Sequence, residues 1–515
     1  MGQNARKGKV KRMKRIVSIL LALCLLPLFA WAEDTVLDYT SDFSQGLDGW
    51  FPRSTGSAEA VAEDGVLKIS GRTDSWNSPG RYFDLVPGSQ YEISAEVYQD
   101  SLDSAEFMIS VAHTRNGTES YENLARAVAK KGEWTRLSCT YTFGEFDQYV
   151  LYVETVGNGS LSFSMRNFHV KGQGLSYDAN LPSLSSVYAP YFDFGCAVTQ
   201  LEALNAQRMD FYATQFNIMT CGNELKPDYV LDVAACRELA KQDDAAVAVH
   251  FDSAAPMLKY CFEHGVKVHG HVLVWHAQTP EAFFHELYDT SKPFVSRETM
   301  IARLDNYVRL IMAYMDENYP GLIVSWDVVN EAIDDNSGKL RASNWTKVVG
   351  EDFIEIAFGI ARKYAPEGTL LYYNDYSTPY EPKLSGILRL LDRLTETGNI
   401  DGYGFQCHYE LTTPTIAQLH SALEKVAARG LWIRISELDI KVSALNDSAY
   451  TMQAGRYEAL FKEFLLFADK IKAVHTWGVT DDLSWLANRH PLLFDKNLSP
   501  KPAFYKLIDL IGNAE

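Results

Sequence analysis

The feature of this sequence that most constrains its fold is a repeated alternation of strand-like and helix-like segments over residues 190–515. Short apolar runs, each followed by a segment long enough for a helix, recur along this part of the chain. The predicted strands are Phe192–Val198, Phe216–Gly222, Lys267–His276, Val324–Glu331, Leu370–Asp375, Gly402–His408, Leu431–Asp439 and Ile471–Val479, and the clearest predicted helices are Arg297–Glu317, Phe353–Tyr364, Lys383–Thr397, Thr415–Arg429 and Tyr450–Ala468. Eight such units predict an α/β fold, a (β/α)8 TIM barrel with its active site at the C-terminal ends of the strands.

Residues 33–172 have a different pattern, in which short alternating segments are separated by turn residues such as Gly157-Asn158-Gly159. The predicted strands are Val66–Ser70, Tyr91–Tyr98, Glu106–Ala112, Trp134–Phe143, Tyr149–Val156 and Leu161–Val170. Because no long amphipathic helix interrupts them, we expect an all-β jelly-roll sandwich domain ahead of the barrel. Residues 173–189 are rich in Ser, Pro and Gly and are predicted to form a linker.

Residues 1–32 have the pattern of a secretory signal peptide. Basic residues between Arg6 and Arg15 precede the apolar run Ile16–Phe29, and Ala30-Trp31-Ala32 has the small-x-small pattern of a cleavage site. A membrane anchor is the alternative, but the apolar run is short for a bilayer span of about 20 residues. We therefore expect a secreted, extracellular protein with no membrane contact after cleavage.

The charge balance narrows the possible partners. Removal of residues 1–32 takes away seven positive charges and no negative ones, so the formal net charge moves from −18 to −25. An acidic surface repels phosphate backbones and anionic lipids, which argues against nucleic acid as a partner and favours a neutral substrate.

The six cysteines left after Cys24 form no CxxC pair, so no zinc site is predicted, and we expect buried thiols at least as much as disulfides. We expect a monomer.

Two carboxylates at predicted strand ends suggest the chemistry. Glu331 ends the fourth strand and Glu437 the seventh, on opposite sides of an eight-stranded ring. A single Glu at a strand end is usually solvated or ion-paired. Glycoside hydrolysis needs two carboxyl side chains, one as the acid that protonates the leaving oxygen and one as the carboxylate that attacks the anomeric carbon. Retention of configuration requires the pair to lie about 5–5.5 Å apart. Asn330 would point away from Glu331 on a regular strand, so both reach the pocket only if the strand end is irregular.

Period-two alternation places Glu437 and Asp439 on one face of their strand, and Gln406 and His408 on one face of theirs. We predict that His408 donates a hydrogen bond that keeps Glu437 ionised, while Asp439 orients the imidazole. The alternative is that His408 is a buried structural histidine.

On these residues the barrel resembles glycoside hydrolase family 10, the β-1,4-xylanases, over almost all of residues 190–512. The matching blocks are Phe216-Asn217, Asn223 to Lys226, His269 to His276, Trp326 to Ala332, Tyr373 to Tyr376, Asp401 to His408, Glu437 to Asp439, and Thr476 to Trp485. The resemblance implies retaining endo-hydrolysis of xylan without any cofactor, with Glu331 as acid/base and Glu437 as nucleophile. It also implies that Asn330 binds the sugar 2-hydroxyl and that further residues bind substrate, namely Asn223, Lys226, His271, Trp275, Gln406, His408, Trp477 and Trp485, with Asp439 and Tyr376 behind them.

Two positions depart from the family pattern. Gly222 stands where these xylanases usually carry Glu, and Ala282 stands where an aromatic residue often follows the third-strand block, although Phe283 and Phe284 are adjacent. Neither position belongs to the catalytic pair. The departures concern the distal glycone subsite rather than the reaction.

The N-terminal domain resembles family-22 carbohydrate-binding modules through Gly71-Arg72, Trp76, Tyr121, Tyr152 to Glu154 and the region of Trp50 and Arg53. The resemblance implies that xylan and xylo-oligosaccharides bind there, at Arg53, Trp76, Tyr121, Tyr152 and Glu154, with aromatic rings stacking on sugars. The alternative is a sandwich that only stabilises the barrel. Such modules often hold a structural calcium ion, and Arg166-Asn167 occupies the region where an acidic pair is common, which leaves calcium binding open.

Two other functions fit parts of the pattern. A non-catalytic polysaccharide-binding protein on a degenerate barrel is disfavoured because both Glu331 and Glu437 are present. Another retaining β-1,4-glycanase, such as a cellulase, shares the two-carboxylate layout. The Asn223 and Lys226 block and the pair Trp477 and Trp485 favour xylan.

Overall fold

The computed structural model of the chain describes residues 36–44, 46–53, 58–115, 117–146, 148–444 and 446–512. The predicted signal peptide, residues 1–32, lies outside the described residues, as do the first residues of the predicted sandwich domain. Within the described ranges, no helix combines the length and the apolar composition that crossing a membrane requires.

The N-terminal part is a sandwich of two antiparallel sheets. Its described strands are β1 Val36–Ser41, β2 Phe51–Pro52, β3 Glu59–Glu63, β4 Val66–Ser70, β5 Pro79–Arg81, β6 Gln90–Tyr98, β7 Ser104–Arg115, β8 Thr118–Lys130, β9 Thr135–Thr142, β10 Gln148–Thr155 and β11 Phe163–Gln173. One sheet has the order β3-β4-β11-β6-β9, with β1 also paired to β11, and the other has the order β2-β5-β10-β7-β8. Alternate residues such as Leu67, Ile69, Val97, Ile109 and Val153 point inward and form one apolar core. The predicted all-β sandwich is confirmed.

One long strand of the sandwich is absent from the prediction. Strand β8 is the outermost strand of its sheet and pairs only with β7. Its first half is polar and largely exposed, with Glu119, Glu122 and Asn123, and its buried positions hold only the small residues Ala125 and Ala129, so the apolar alternation that marks the other strands is weak here.

The C-terminal part is a closed parallel barrel, which confirms the predicted (β/α)8 fold. Its strands are β12 Asp193–Val198, β13 Ile218–Cys221, β14 Lys267–Gly270, β15 Val274–Trp275, β16 Ile323–Asn330, β17 Leu370–Asp375, β18 Gly402–Phe405, β19 His408–Glu410, β20 Trp432–Lys441 and β21 Ile471–Thr476. Strand β12 pairs with both β13 and β21, which closes the ring.

Two predicted barrel strands are interrupted near the site. The predicted strand Lys267–His276 divides into β14 and β15, and Gly402–His408 divides into β18 and β19. In the second case Cys407 has a φ of 62°, which turns the backbone out of the extended conformation. In both cases the break lies at the C-terminal end of the barrel, where side chains are redirected toward the cleft.

Helices surround the barrel strands. They are α1 Leu184–Tyr188, α2 Gln200–Ala203, α3 Ala206–Gln215, α4 Pro227–Val230, α5 Val233–Ala240, α6 Ala255–His264, α7 Arg297–Asn318, α8 Asn344–Val348, α9 Phe353–Tyr364, α10 Lys383–Thr397, α11 Ile416–Ala427, α12 Asp447–Leu466 and α13 Pro502–Gly512. Short 3-10 turns lie at Glu281–Phe284, Glu286–Tyr288, Asp481–Leu483 and Ala487–Arg489. The predicted helices agree with α7, α9, α10, α11 and α12 to within a few residues. Local signals set their ends: Ser296 caps α7, and Gly398, with a φ of 69°, ends α10.

The predicted linker, residues 173–189, differs from the structure at its C-terminal end. Helix α1 lies within it, and Leu184 and Tyr188 are buried in the barrel core. The hydroxyl of Tyr188 donates to the carbonyl of Leu507 at 2.8 Å. Ser183 belongs to the Ser-rich run that favoured a linker. Its side chain instead accepts a hydrogen bond from the backbone amide of Ser186 and caps this helix.

The six described cysteines carry free thiols. Cys196, Cys221, Cys236, Cys261 and Cys407 are buried, and Cys139 is half-buried. They pack as small apolar residues.

Candidate active site

The end of β16 is irregular, which brings Asn330 and Glu331 to the same site. Glu331 follows the last strand residue with a φ of 55°, and the pairing of β16 with β17 shifts register between Asp327 and Val329. The amide of Gln406 donates to Asn330 Oδ1 at 3.1 Å and to Glu331 Oε1 at 2.9 Å. The side chains of Asn330 and Glu331 therefore face one cleft. The sequence indicated that this was possible only at an irregular strand end.

Glu437 is buried on β20, and two donors hold its carboxylate. Asn374 Nδ2 donates to Oε1 at 2.7 Å, and His408 Nε2 lies 3.1 Å from Oε2. Burial alone would raise the pKa of Glu437, but the hydrogen bond from His408, the nearby His271 and the Asn374 amide outweigh it and lower this pKa. The side chain is therefore an ionised carboxylate.

His408 is held between Glu437 and Asp439. Its Nδ1 lies 2.7 Å from Asp439 Oδ2. Burial lowers the pKa of His408, yet the two carboxylates raise it to about 10, so the ring is protonated at neutral pH. These are the contacts that alternation along the strands predicted.

A chain of amides joins the two glutamates. Asn374 Nδ2, which donates to Glu437, also donates to Asn330 Oδ1 at 3.1 Å, and Gln406 continues the chain to Glu331. Ser436 Oγ in turn donates to Asn374 Oδ1 at 2.6 Å. Asn374 was not among the predicted site residues, although its place near the end of the fifth predicted strand was the available signal.

One wall of the cleft is built around Lys226. Its Nζ donates to Asn223 Oδ1 at 2.9 Å and to Gln278 Oε1 at 3.0 Å. The ammonium lies 5.1 Å from the ring centre of Trp275 and 5.9 Å from that of Trp477. Burial lowers the pKa of Lys226, and surrounding carboxylates oppose this shift. Gln278 was not predicted, although it lies two residues after the third-strand block.

Tryptophans and a histidine complete the cleft. Trp275 Nε1 donates to Glu331 Oε2 at 3.1 Å, and Trp485 Nε1 donates to Asp439 Oδ2 at 2.9 Å. Trp485 remains 62% exposed, so most of its ring is open to a ligand. His271 lies edge-on to Trp477, with ring centres 5.4 Å apart, and its Nδ1 is 2.8 Å from a buried Asp327 oxygen.

Tyr376 contacts the site through Arg341. The tyrosine hydroxyl donates to Asp335 Oδ2 at 2.6 Å and accepts from Arg341 Nη2 at 3.0 Å. Arg341 Nε donates to the carbonyl of Glu331 at 3.0 Å. Tyr376 therefore supports the backbone that carries the glutamate.

The two departures from the family pattern have different structural settings. Gly222 does not have a positive φ, and a Cβ there would lie 3.6 Å from Thr199 Cγ2, an ordinary contact, so a side chain fits. Ala282, Phe283 and Phe284 are all buried in the 3-10 turn Glu281–Phe284. The adjacent phenylalanines therefore do not replace an aromatic ring in the cleft.

The five predicted sugar-binding residues of the sandwich gather at the outer face of the sheet that contains β10. Trp76 and Tyr121 are 46% and 58% exposed. Glu154 is buried and accepts from Ser110 Oγ at 2.5 Å. Tyr152 is only 1% exposed, because the guanidinium of Arg53 lies 3.3 Å from its ring centre. The face of Tyr152 is thus covered, and Trp76 and Tyr121 are the open rings.

The region around Arg166, where the resemblance to carbohydrate-binding modules suggested a calcium site, does not fit a calcium ion. Arg166 Nε donates to Glu96 Oε2 at 2.7 Å, and the guanidinium lies 4.2 Å from the ring centre of Trp134. A cation would have to displace this positive charge from its carboxylate. Across the described parts of the chain, no group of three or more His, Cys, Asp or Glu side chains is placed to hold a metal ion.

Comparison with known proteins gives consistent matches. A model described as glycosyl hydrolase family 10 matches residues 183–510, and one described as a carbohydrate binding domain matches residues 37–159. The chain is 37% identical over 336 residues to endo-1,4-beta-xylanase B of Butyrivibrio fibrisolvens, covering 63% of this chain and 53% of that protein. It is 32% identical over 503 residues to endo-1,4-beta-xylanase A of Thermotoga maritima, covering 91% and 46%. The chain thus spans about half the length of these curated relatives.

A solved structure resembles almost the whole chain. It contains the CBM22-1 and GH10 modules of endo-1,4-beta-D-xylanase 10B from Clostridium thermocellum, in complex with xylohexaose. The TM-score is 0.62 at 28% sequence identity, and the match covers 94% of this chain and 98% of that one. The sandwich and the barrel therefore occur together in a known protein.

Proposed function

The chain belongs to glycosyl hydrolase family 10, and from that premise we propose that it cleaves internal β-1,4-xylosidic bonds of xylan with retention of anomeric configuration. Glu437 is the nucleophile and Glu331 the acid/base. The observation that carries this proposal is the pair of carboxylates joined through Gln406, Asn330 and Asn374 at the C-terminal mouth of the barrel. Their surroundings differ: Glu437 faces a protonated histidine, whereas Glu331 faces an indole and an amide.

In the first step the Glu437 carboxylate attacks the anomeric carbon while Glu331 transfers its proton to the glycosidic oxygen. The bond between that oxygen and the anomeric carbon breaks, the leaving sugar departs, and a covalent glycosyl-enzyme remains. In the second step Glu331, now a carboxylate, takes a proton from water as the water oxygen attacks the same carbon and releases Glu437. Two inversions at one carbon give net retention.

The neighbouring groups support these roles. The hydrogen bonds from His408 and Asn374 keep Glu437 ionised and aimed, so it is ready as a nucleophile. Asn330 is placed beside both glutamates, where a hydrogen bond to the 2-hydroxyl of the sugar would strengthen in the transition state. No step calls for a metal or an organic cofactor.

The sandwich is proposed to bind xylan and xylo-oligosaccharides, which would hold the barrel near its insoluble substrate. Its match to a carbohydrate binding domain and the open rings of Trp76 and Tyr121 support this role. The composition of residues 1–32 supports secretion, and extracellular xylan is the substrate that a sugar-binding domain on the same chain would serve. We propose a monomer that binds neither nucleic acid nor membranes.

Release of reducing sugars from xylan, carboxymethylcellulose and mannan tests the activity directly. We expect xylan to be cleaved and the other two polymers to be cleaved little or not at all. A preference for carboxymethylcellulose would make the chain a cellulase of the same fold. Binding of xylan without any release of sugar, with Glu331 and Glu437 intact, would identify a non-catalytic polysaccharide-binding protein.

A further inference from the structure

A partly buried ion pair between Asp84 and Arg208 joins the sandwich to the barrel. Arg208, on helix α3, is 3% exposed, and its Nε and Nη2 donate to the two carboxylate oxygens of Asp84 at 2.8 and 2.7 Å. Asp84 follows β5 in the sandwich. Asn205, the residue that caps α3, also donates to this carboxylate. A two-point pair of this kind fixes the orientation of the guanidinium.

The remaining face of the same guanidinium holds a segment of the barrel. Arg208 Nη1 donates to Thr480 Oγ1 at 3.3 Å, and Nη2 lies 4.0 Å from Asp482 Oδ2. Thr480 is buried, and the two residues open the segment 480–489 that follows β21. Arg208, itself on barrel helix α3, therefore links Asp84 of the sandwich to this segment.

The segment 480–489 carries Trp485 into the active site. The indole Nε1 donates to Asp439 Oδ2 at 2.9 Å, and its ring centre lies 5.0 Å from that of His408. Because most of the ring stays open to solvent, its position depends on the backbone of the segment as well as on these two contacts.

We propose that Asp84 is a positioning residue for the active site, which orients Arg208 and thereby fixes Thr480, Asp482 and the Trp485 ring that contacts the sugar. This inference rests on the proposed function for the meaning of Trp485, but the contacts themselves do not depend on it. The sandwich then has two roles. It binds polymer on the face that carries Trp76 and Tyr121, and it supports the catalytic cleft through Asp84.

Asp84→Asn is the sharpest perturbation because it keeps the shape of the side chain and removes the charge. Arg208 is left with Asp482 as its nearest carboxylate, and a buried cation without its partner is unfavourable. The guanidinium is expected to turn toward Asp482 or water, and its bond to Thr480 is lost. The matched control is Glu145→Gln, which faces Lys496 at 3.9 Å between the same two domains with both side chains exposed.

Hydrogen exchange in the full chain tests the contact without any substrate. Asp84→Asn should speed amide exchange in 480–489 by roughly threefold or more, since local opening becomes easier. Exchange in helix α10 should stay unchanged, and Glu145→Gln should change neither region. A lower melting temperature with unaltered exchange in 480–489 would overturn the proposal and leave Asp84 a stabilising residue only.

Kinetics on an aryl β-xylobioside test the consequence for the site. Asp84→Asn should lower kcat/KM by roughly three- to tenfold, mainly through KM, because a sugar-stacking ring is displaced. In a Trp485→Ala background the same substitution should change kcat/KM by less than about twofold, since the ring it positions is gone. Equal effects in both backgrounds would overturn the proposal. If the wild-type chain cleaves no glycoside, the proposed function fails, and the exchange measurement still decides the role of Asp84.

Discussion

The protonated ring of His408 and the carboxylate of Glu437 form a partly buried ion pair, with Nε2 and Oε2 3.1 Å apart. The pair links activity to pH, because each partner holds the other in its charged form. The pKa of Glu437 is lowered and that of His408 is raised to about 10.

His408→Gln should shift the acid limb of the kcat/KM profile to higher pH. The glutamine amide still donates a hydrogen bond but brings no positive charge, so the pKa of Glu437 rises. At low pH a larger fraction of the enzyme then has Glu437 protonated and unable to attack. The profile is measured on an aryl β-xylobioside from pH 4 to pH 9. An unchanged acid limb would mean that the histidine charge does not control Glu437.

The same pair should appear in the pH dependence of stability. The folded-state pKa of His408 lies above its usual 6.5, so its contribution is complete below about pH 6.5 and is lost as pH rises toward about 10. The difference in melting temperature between wild type and His408→Gln should therefore shrink over that window. A difference that stays constant from pH 6 to pH 10 would assign the histidine no titrating role.

Glu437→Ala should abolish xylan hydrolysis and keep the fold, because no glycosyl-enzyme can form. Added azide should restore cleavage of an activated aryl xylobioside and yield the inverted α-azide, which is identified by NMR. Glu424→Ala, on the exposed side of α11, is the control and should retain wild-type activity. Near wild-type turnover by Glu437→Ala would remove the nucleophile assignment.

Trp76→Ala should weaken binding of the sandwich to xylan. Loss of one stacking ring costs on the order of 1 kcal/mol, about fivefold in affinity. Retardation in native gels containing soluble xylan is measured in the inactive Glu437→Ala chain, so that the polymer survives. Trp134→Ala removes an indole from beside β9 in the other sheet and should migrate like its parent. Equal migration of all three proteins would leave the sandwich without a binding role at Trp76.

Gly222→Glu should improve use of the second glycone sugar. A carboxylate there could accept a hydrogen bond from a sugar hydroxyl, worth roughly 1.5–3 kcal/mol and less where water competes. We expect kcat/KM on aryl xylobioside to rise between a few-fold and about a hundredfold, and that on aryl xyloside to change little. Gly222→Ala should be neutral, because the glycine does not have a positive φ and a Cβ meets only ordinary contacts. No selective gain from Gly222→Glu would show that this subsite is organised by other residues.

The sequence predicted the features that follow from hydrophobic alternation and from the ends of strands. Both glutamates, the placement of His408 beside Asp439 and the barrel itself depend on that periodicity. It could not predict β8, whose first half is polar and exposed and whose buried residues are small alanines, or helix α1, whose buried residues follow a Ser- and Pro-rich run.

The contacts that escaped prediction are those that depend on the three-dimensional approach of separate segments. Asn374 on β17 contacts both Asn330 on β16 and Glu437 on β20, and Gln278 reaches Lys226 across a loop. The ring of Tyr152 is covered by Arg53, which is distant in sequence. The periodicity of a sequence predicts the direction in which a side chain leaves its own strand. It does not predict which residues from other segments contact that side chain.

The left-handed backbone of Glu331 places catalysis and robustness in conflict. A non-glycine residue at a φ of 55° costs about 1–2 kcal/mol, a sizeable share of the net stability of a domain. Replacement of Glu331 by glycine would relieve this backbone cost, although it would also remove the hydrogen bonds that the carboxylate accepts from Gln406 and Trp275. Directed evolution for heat tolerance alone would therefore exert no pressure to keep the proposed acid/base Glu331, so a thermostable variant has to be selected under turnover.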